Sequence, residues 1–323
     1  MALNLNDLTV YTNELTGLGK ETILAANTIK GKGIIADVIY NALGDKYQFN
    51  TVSTIPYGRT RDCSTFTDTG STVFTAEVIQ LCGIEFPNSI CIIDLKKYYT
   101  DFYNEKSFNS EVIGTGDFAD MIFENKMQSW SLEVDKIIWG GIGSDANPYA
   151  SKTGNYTLCT GILQHAYDLS GSVASNVART AITEANAIVV VKSIVASVAT
   201  NMPEVLDDWN LYLSPADFAT YLMAVTDLYK YNALLIDPAS GIEYMKIPGT
   251  SGGKVVKVNG MVGEASGTFI ATPKANIGVV LSAEEDLNIR SWFDPSFDNY
   301  FMKLAVKFGA GVKQAGIVVR SQG

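Results

Sequence analysis

Residues 117–143 read DFADMIFENKMQSWSLEVDKIIWGGIG. Within them Phe123, Met127, Trp130, Val134, Ile137 and Ile138 recur at steps of three and four, which places them on one face of a helix. The spacing predicts an amphipathic helix over 117–139, about 33 Å long at ~1.5 Å per residue. Asp117 stands where a cap belongs and Asp120 falls in the first turn, while Gly140-Gly141 offers a left-handed C-terminal stop.

Working outward from that helix, a second one is expected after a Thr183 cap. It runs through Ile188, Val195 and Val198 to Pro203, and apolar residues nearly encircle it, which implies burial. A strand Leu211-Tyr212-Leu213 then meets Ser214-Pro215-Ala216-Asp217. There Ser caps a helix, Pro fits its first turn and Asp complements its dipole. After Tyr231 the pattern changes to short strands. From 300 to 308 it becomes an alternation, with Met302, Leu304, Val306 and Phe308 on one face and Lys303, Ala305 and Lys307 on the other. Gly309-Ala310-Gly311 is expected to turn this strand into a second long one over 312–319. Upstream, residues 49–80 alternate small hydroxyl and apolar side chains around Gly70-Ser71 and predict a long hairpin with an exposed tip. Residues 1–48 are polar with scattered apolar positions and suggest an arm, with a short helical pattern over 20–29 that Gly31 and Gly33 break. The elements together predict an α+β fold.

Length and composition bound the function. A chain of 323 residues with 47% apolar and 18% charged residues folds throughout as one large or two ordinary domains. It shows no internal repeat and no low-complexity tract. A formal charge of −10 argues against a protein that grips nucleic acid, because phosphate affinity comes from Lys and Arg. Such a surface could lie beside DNA without adhering to it. The opening MALNLNDLTVYTNE has neither a basic nor an apolar leader region, and no apolar run is long enough for a membrane helix, so cytoplasmic synthesis is expected. Cys63, Cys82, Cys91 and Cys159 form no CxxC pair, and buried or half-buried thiols are expected.

Motifs that could carry chemistry fail on context. His165 is the sole histidine, which removes most His-based mechanisms and two-His metal sites, and beside Tyr167 it reads as a packing residue. Gly249-Thr250-Ser251-Gly252-Gly253 matches GxSxG, so Ser251 is the candidate nucleophile of a serine hydrolase. However, Pro248 precedes it, β-rich Val255-Val256-Lys257-Val258 follows instead of a helix, and the histidine lies upstream. Gly141-Ile142-Gly143-Ser144-Asp145-Ala146 resembles a dinucleotide fingerprint but follows a helix rather than a strand. The stretch 249–254 fails as a phosphate loop at Pro248 and Val255. Asp207-Asp208 and Glu284-Glu285-Asp286 read as solvated charge beside turns, and Asn155-Tyr156-Thr157 as a chance glycosylation pattern. No catalytic residue, metal site or cofactor is expected. A building block that binds copies of itself is expected instead.

The layout resembles that of the major capsid proteins of tailed double-stranded DNA bacteriophages, with the HK97-like fold. The helix over 117–139 followed by Gly140-Gly141-Ile142-Gly143 looks like that family's spine helix with its glycine turn, and Gly161-Ile162-Leu163 like the segment after it. The helix over 184–200 and Asn210-Leu211-Tyr212-Leu213-Ser214-Pro215-Ala216-Asp217-Phe218 are similar to its A-domain. Asn276-Ile277-Gly278-Val279-Val280 through Asp286-Leu287-Asn288-Ile289 looks like the return into the P-domain. The resemblance spans roughly 50–320. It implies an N-terminal arm (1–48), an E-loop hairpin (49–80), a first P-domain part (81–183), an A-domain (184–281) and P-domain return strands (282–323).

What the family implies for function is a subunit that self-assembles into hexamers and pentamers of an icosahedral shell. The shell would enclose packaged double-stranded DNA without sequence-specific binding, and it would be built in the host bacterial cytoplasm. The implied partners are the chain itself and portal, scaffold and decoration or head-fibre proteins, with no membrane. Arg59 and Arg61 in the hairpin are expected to meet carboxylates of adjacent subunits, and Phe66 and Phe74 to make apolar contact with them. An encapsulin-like compartment of the same fold, holding a protein cargo, is the alternative; a serine hydrolase using Ser251 is the distant one.

Overall fold

Alternation decides the central element. Asn299–Val312 is one uninterrupted fourteen-residue strand, β13, in which every second side chain from Tyr300 to Phe308 is buried. The computed structural model describes residues 34, 37–42, 44–55, 71–91, 93–94, 96–98, 100, 115–143, 154–169, 171–229, 234–238, 241–282, 288–294 and 296–322. The other strands are β1 (Asp37–Ala42), β2 (Lys46–Ile55), β3 (Ser71–Gln80), β4 (Cys82–Cys91), β5 (Ser175–Ala178), β6 (Asn210–Leu213) and β7 (Leu235–Ile236). They continue as β8 (Glu243–Lys246), β9 (Lys254–Lys257), β10 (Phe269–Thr272), β11 (Ile277–Ser282), β12 (Asn288–Asp294) and β14 (Val319–Gln322). Among the described residues, α1 (Thr115–Gly140), α2 (Ile162–Asp168), α3 (Ala187–Asn201) and α4 (Pro215–Tyr229) are α-helices, and further helical positions occur within 93–100. The class is α+β, as expected.

β13 organises a five-stranded sheet. β4 lies along one edge, antiparallel from Cys82 opposite Phe308 to Cys91 opposite Asn299, while β12 and β11 follow each other along the other edge and β1 adds in parallel to β11. The buried face of β13 packs in a core with Trp130, Val134, Ile137 and Ile138, which α1 presents in the register read from the sequence. Each such fully buried side chain contributes about 1.5–3 kcal/mol. The opposite face of β13 stays partly wet: Lys303 pairs with Glu85 at 2.5 Å and Lys307 with Asp45 at 2.8 Å.

A seven-stranded sheet, ordered β5-β14-β10-β6-β9-β8-β7, makes the second layer system. Its central strands are buried on both faces. Tyr212, Val256 and Ile270 join the core under α1, whereas Leu211, Leu213, Val255, Phe269 and Ala271 join a second core with α3 and α4. Successive residues of one strand therefore serve different cores, which is why LYL and KVVK read as short apolar runs. The ring of Tyr212 lies 5.3 Å from that of Trp139, and its hydroxyl donates to the carbonyl of Ile34 and accepts from Asn210 Nδ2, both at 3.1 Å.

The Ser214 junction forms as expected: the amide of Asp217 donates to Ser214 Oγ at 3.2 Å. Asp217 adds what the motif alone does not show. Its buried carboxylate accepts from Ser266 Oγ at 2.7 Å and from the amide of Gly267 at 2.9 Å, which ties the start of α4 to the loop before β10.

Several expectations are corrected. The long helix starts at Thr115, two residues before Asp117. Its end is not left-handed at Gly140 or Gly141; the positive φ falls at Gly143 (59°). Gly141 is needed for contact, since a Cβ there would press on the Cys159 carbonyl and lie 2.6 Å from that of Ile137. α3 begins at Ala187 with Asn186 at its cap position rather than after Thr183, and only the Ala187, Val191, Ile194 and Val198 face is buried, with Val189 67% exposed. Gly70-Ser71 is not the turn, because Ser71 already pairs with Ile55 in the ladder, and residues 56–70 lie outside the described residues. The stretch 309–311 does not turn: β13 runs through it, a short 3-10 turn follows at Ala315–Ile317, and the last strand is the four-residue β14 in the other sheet. Of residues 1–48, the described part enters β1 and the start of β2; the pattern over 20–29 lies outside the described residues.

Cysteine pairing is a further correction. Cys82 and Cys159, expected as thiols, are joined as a disulfide with Cα atoms 5.9 Å apart, while Cys91 is free. Sequence spacing hides the pair, since 77 positions separate its members. Closing a loop of that size constrains the unfolded chain by about 4.5 kcal/mol.

The glycines of β13 give the test of this packing. A Cβ on Gly309 would lie 2.7 Å from Ile79 Cγ2 and 2.8 Å from the Gln80 carbonyl, and one on Gly311 2.9 Å from the His165 ring; Gly316 faces open space. Gly309→Ala and Gly311→Ala are expected to lose about 1–3 kcal/mol in urea unfolding, and Gly316→Ala about 0.5 kcal/mol or less. Equal effects at all three would contradict the close approach.

Candidate functional site

A hairpin leaves the molecule from a rigid root. β2 and β3 pair over ten positions, Lys46 opposite Gln80 to Ile55 opposite Ser71, and among the described residues they pair only with each other. Ten residues at ~3.3 Å each extend about 33 Å. A two-stranded hairpin is marginal alone in water.

The root is fixed by apolar contact. Phe49, Ile79 and Leu81 are buried with Ala42 and Val280 in a small third core, and the amide of Leu81 donates to the Asp45 carbonyl at 2.8 Å. Three glycines open the seat. Gly278 lies under the Phe49 ring, Gly309 under Ile79 and Gly311 under His165, each leaving less than 3 Å for a Cβ. Lys313 Nζ lies 5.6 Å from the centre of the Phe49 ring.

His165 joins three elements at this root. It sits on α2, Nε2 donates to the Val78 carbonyl of β3 at 3.4 Å, and Nδ1 accepts the Val312 amide of β13 at 3.4 Å. Both contacts suit one neutral tautomer, and a proton on Nδ1 would face the Val312 donor. Burial holds the imidazole below its ordinary pKa, against the upward pull of the Val78 hydrogen bond and Asp168.

The end of α1 is stitched to the chain before α2 beside this root. The amide of Ile142 donates to the Tyr156 carbonyl at 2.8 Å, that of Gly143 to Cys159 at 3.0 Å and that of Gly161 to Gly141 at 2.9 Å. The glycine stretch read against a dinucleotide motif is thus a crossing of two backbones. Asn155 donates to Glu133 Oε2 at 3.0 Å, and Glu133 also pairs with Lys136 at 2.7 Å.

Of the expected contact residues, Arg59, Arg61 and Phe66 lie outside the described residues, and Phe74 takes its place in β3 opposite Val52. Ser251 lies in the loop between β8 and β9, where Oγ donates to Asp207 Oδ1 at 2.7 Å. His165 makes its contacts elsewhere, to Val78 and Val312, so serine and histidine are not brought together. The glycines of that loop serve packing: a Cβ on Gly252 would meet the Asp207 carbonyl, and one on Gly253 the Trp209 ring at 2.7 Å. Glu284, Glu285 and Asp286 fall outside the described residues. Among the described residues no group of three His, Cys, Asp or Glu side chains could hold a metal ion, and no helix is long and apolar enough to cross a membrane. Sequence reasoning missed the glycine seat and the Cys82–Cys159 pair. The signal for the seat was glycine at 309 and 311 within an alternation that the strand simply continues.

Comparison with known proteins rests on shape. No protein-family model and no curated protein matches the chain. A chain of the satellite phage P4 procapsid, solved with its size determination protein, superposes with a TM-score of 0.56 at 11% identity, over 94% of this chain and 100% of that one. A chain from the capsid of an empty GTA particle gives 0.52 at 11% identity, over 92% and 89%. The architecture is the HK97-like capsid fold.

The lone histidine makes the root accessible to pH. A folded pKa below the unfolded value of about 6.5 means that its stabilisation is complete above that value and is lost as pH falls through it, because the unfolded chain then binds the extra proton. Urea midpoints are expected to be flat above about pH 7.5 and to decline towards pH 5.5, with the decline flattened in His165→Gln. An unchanged slope in the variant would contradict the joint.

Proposed function

From an HK97-like fold we infer that the chain is the structural subunit of a phage capsid, in which hexamers and pentamers tile an icosahedral shell around double-stranded DNA. The observation that carries this reading is the hairpin: a rooted pair of strands with no third strand beside it among the described residues. A neighbouring copy supplies the missing surface, and repeated heterologous contacts of this kind close into rings and shells.

In this reading β2 and β3 are the E-loop, α1 is the spine helix, and the five-stranded sheet with α1 forms the P-domain. The seven-stranded sheet with α3 and α4 is the A-domain, whose edge is completed by β5 and β14 from outside 184–281. Residues 1–48 include the arm. Arg59 and Arg61 meet carboxylates of a neighbouring subunit, while Phe66 and Phe74 make apolar contact there. The net charge of −10 keeps the shell from gripping its DNA. Portal, scaffold and decoration or head-fibre proteins complete the particle, which is built in the bacterial cytoplasm.

Negative-stain electron microscopy of the chain, expressed alone and with its genomic neighbours, is expected to show closed shells or six-fold rings. Arg59→Glu with Arg61→Glu is expected to reduce assembly at least tenfold, a combined effect of ~1.4 kcal/mol or more. Nuclease-resistant DNA inside the shells fits a capsid, whereas shells that hold a protein and no DNA overturn the phage reading in favour of a compartment. A monomer under every condition overturns self-assembly.

A further inference from the structure

The disulfide lies at a mechanically important point, and we propose that Cys82 and Cys159 form a reversible redox latch that fastens the hairpin root to the end of the long helix. Cys82 opens β4, one residue after Leu81 of the hairpin root, and its register opposite Phe308 of β13 fixes its position. Cys159 precedes α2, its carbonyl accepts the Gly143 amide at 3.0 Å, and its backbone rests on Gly141. Each backbone is therefore placed by contacts other than the bond between the two sulfurs. A Cα separation of 5.9 Å lies in the usual range for a disulfide, so the reduced pair stands ready to close.

Exposure gives the pair an order of reaction. Cys82 is half-buried and Cys159 only 2% exposed, so a small disulfide such as oxidised glutathione meets Cys82 first. The Cys82 thiolate attacks that disulfide, forming a mixed disulfide and releasing one glutathione thiolate. The Cys159 thiolate then attacks the Cys82 sulfur and releases the second. Two protein thiols are oxidised, one glutathione disulfide is reduced to two thiols, and the two protons go to solvent or to the leaving thiolates. A reducing cytoplasm keeps the latch open and an oxidising medium closes it. The inference goes beyond the capsid reading and does not require it, because it is tested on the isolated subunit.

The experiment uses the full chain carrying Cys63→Ser and Cys91→Ser, equilibrated across ratios of reduced to oxidised glutathione. Expected are one linked peptide joining Cys82 to Cys159, full reversal by dithiothreitol under native conditions, and a melting midpoint about 5 °C higher when oxidised. Slower hydrogen exchange at 81–82, 141–143 and 159–161 should accompany closure. The shift should vanish on added Cys82→Ser and, separately, on added Cys159→Ser. Comparing oxidised and reduced forms of one chain keeps the test valid if a variant folds poorly. Absence of the linked peptide in a folded chain overturns the proposal. So does a link without change in melting or exchange, or a link that native reduction cannot open.

Discussion

The contact on which the rest depends is the seating of Ile79 and His165 over Gly309 and Gly311 of β13. β13 already carries β4 on one edge and β11 with β12 on the other, and packs its buried face against α1. Only backbone without side chains lets β3 and α2 reach the same strand as well. The hairpin root therefore rests on a strand that also pairs with β4, β11 and β12 and packs against α1. Dense packing of this kind transmits displacement instead of absorbing it.

The second sheet extends the same logic. Its central strands are buried on both faces, with Tyr212 turned to one core and Leu211 and Leu213 to the other. The two cores share strands, so neither can shift far without the other. Tyr212 also holds residue 34 through its hydroxyl, and burial raises the pKa of that phenol. Asp217, buried and accepting from Ser266 and Gly267, anchors α4 to the strand layer that both cores use.

What could be read from the chain alone follows from how local the cause is. The α1 face and the Ser214-Pro215-Asp217 junction depend on neighbours within one turn of helix, and the alternation of β13 on neighbours two positions away, so all three were legible. Gly309 and Gly311 misled because glycine serves both turns and close approach, and only the position of Ile79 and His165 decides between them. The hairpin was legible, but the turn expected at Gly70-Ser71 was misplaced, because Ser71 already opens β3. The disulfide was invisible because it joins segments 77 positions apart, with no local pattern to mark the pair. Among the contact residues, only Phe74 falls in a described element; Arg59, Arg61 and Phe66 rest on sequence reasoning.

In the proposed assembly this chain holds the root of the hairpin and a second copy holds its outer part. Hydrogen exchange along 46–55 and 71–80, compared between dissociated subunits and assembled particles, tests it most directly. Amides near Leu81 and Phe49 are expected to be protected in both states, whereas those towards Ile55 and Ser71 are expected to exchange fast in the subunit and slow markedly in the particle. Equal protection of the outer hairpin in both states would contradict it.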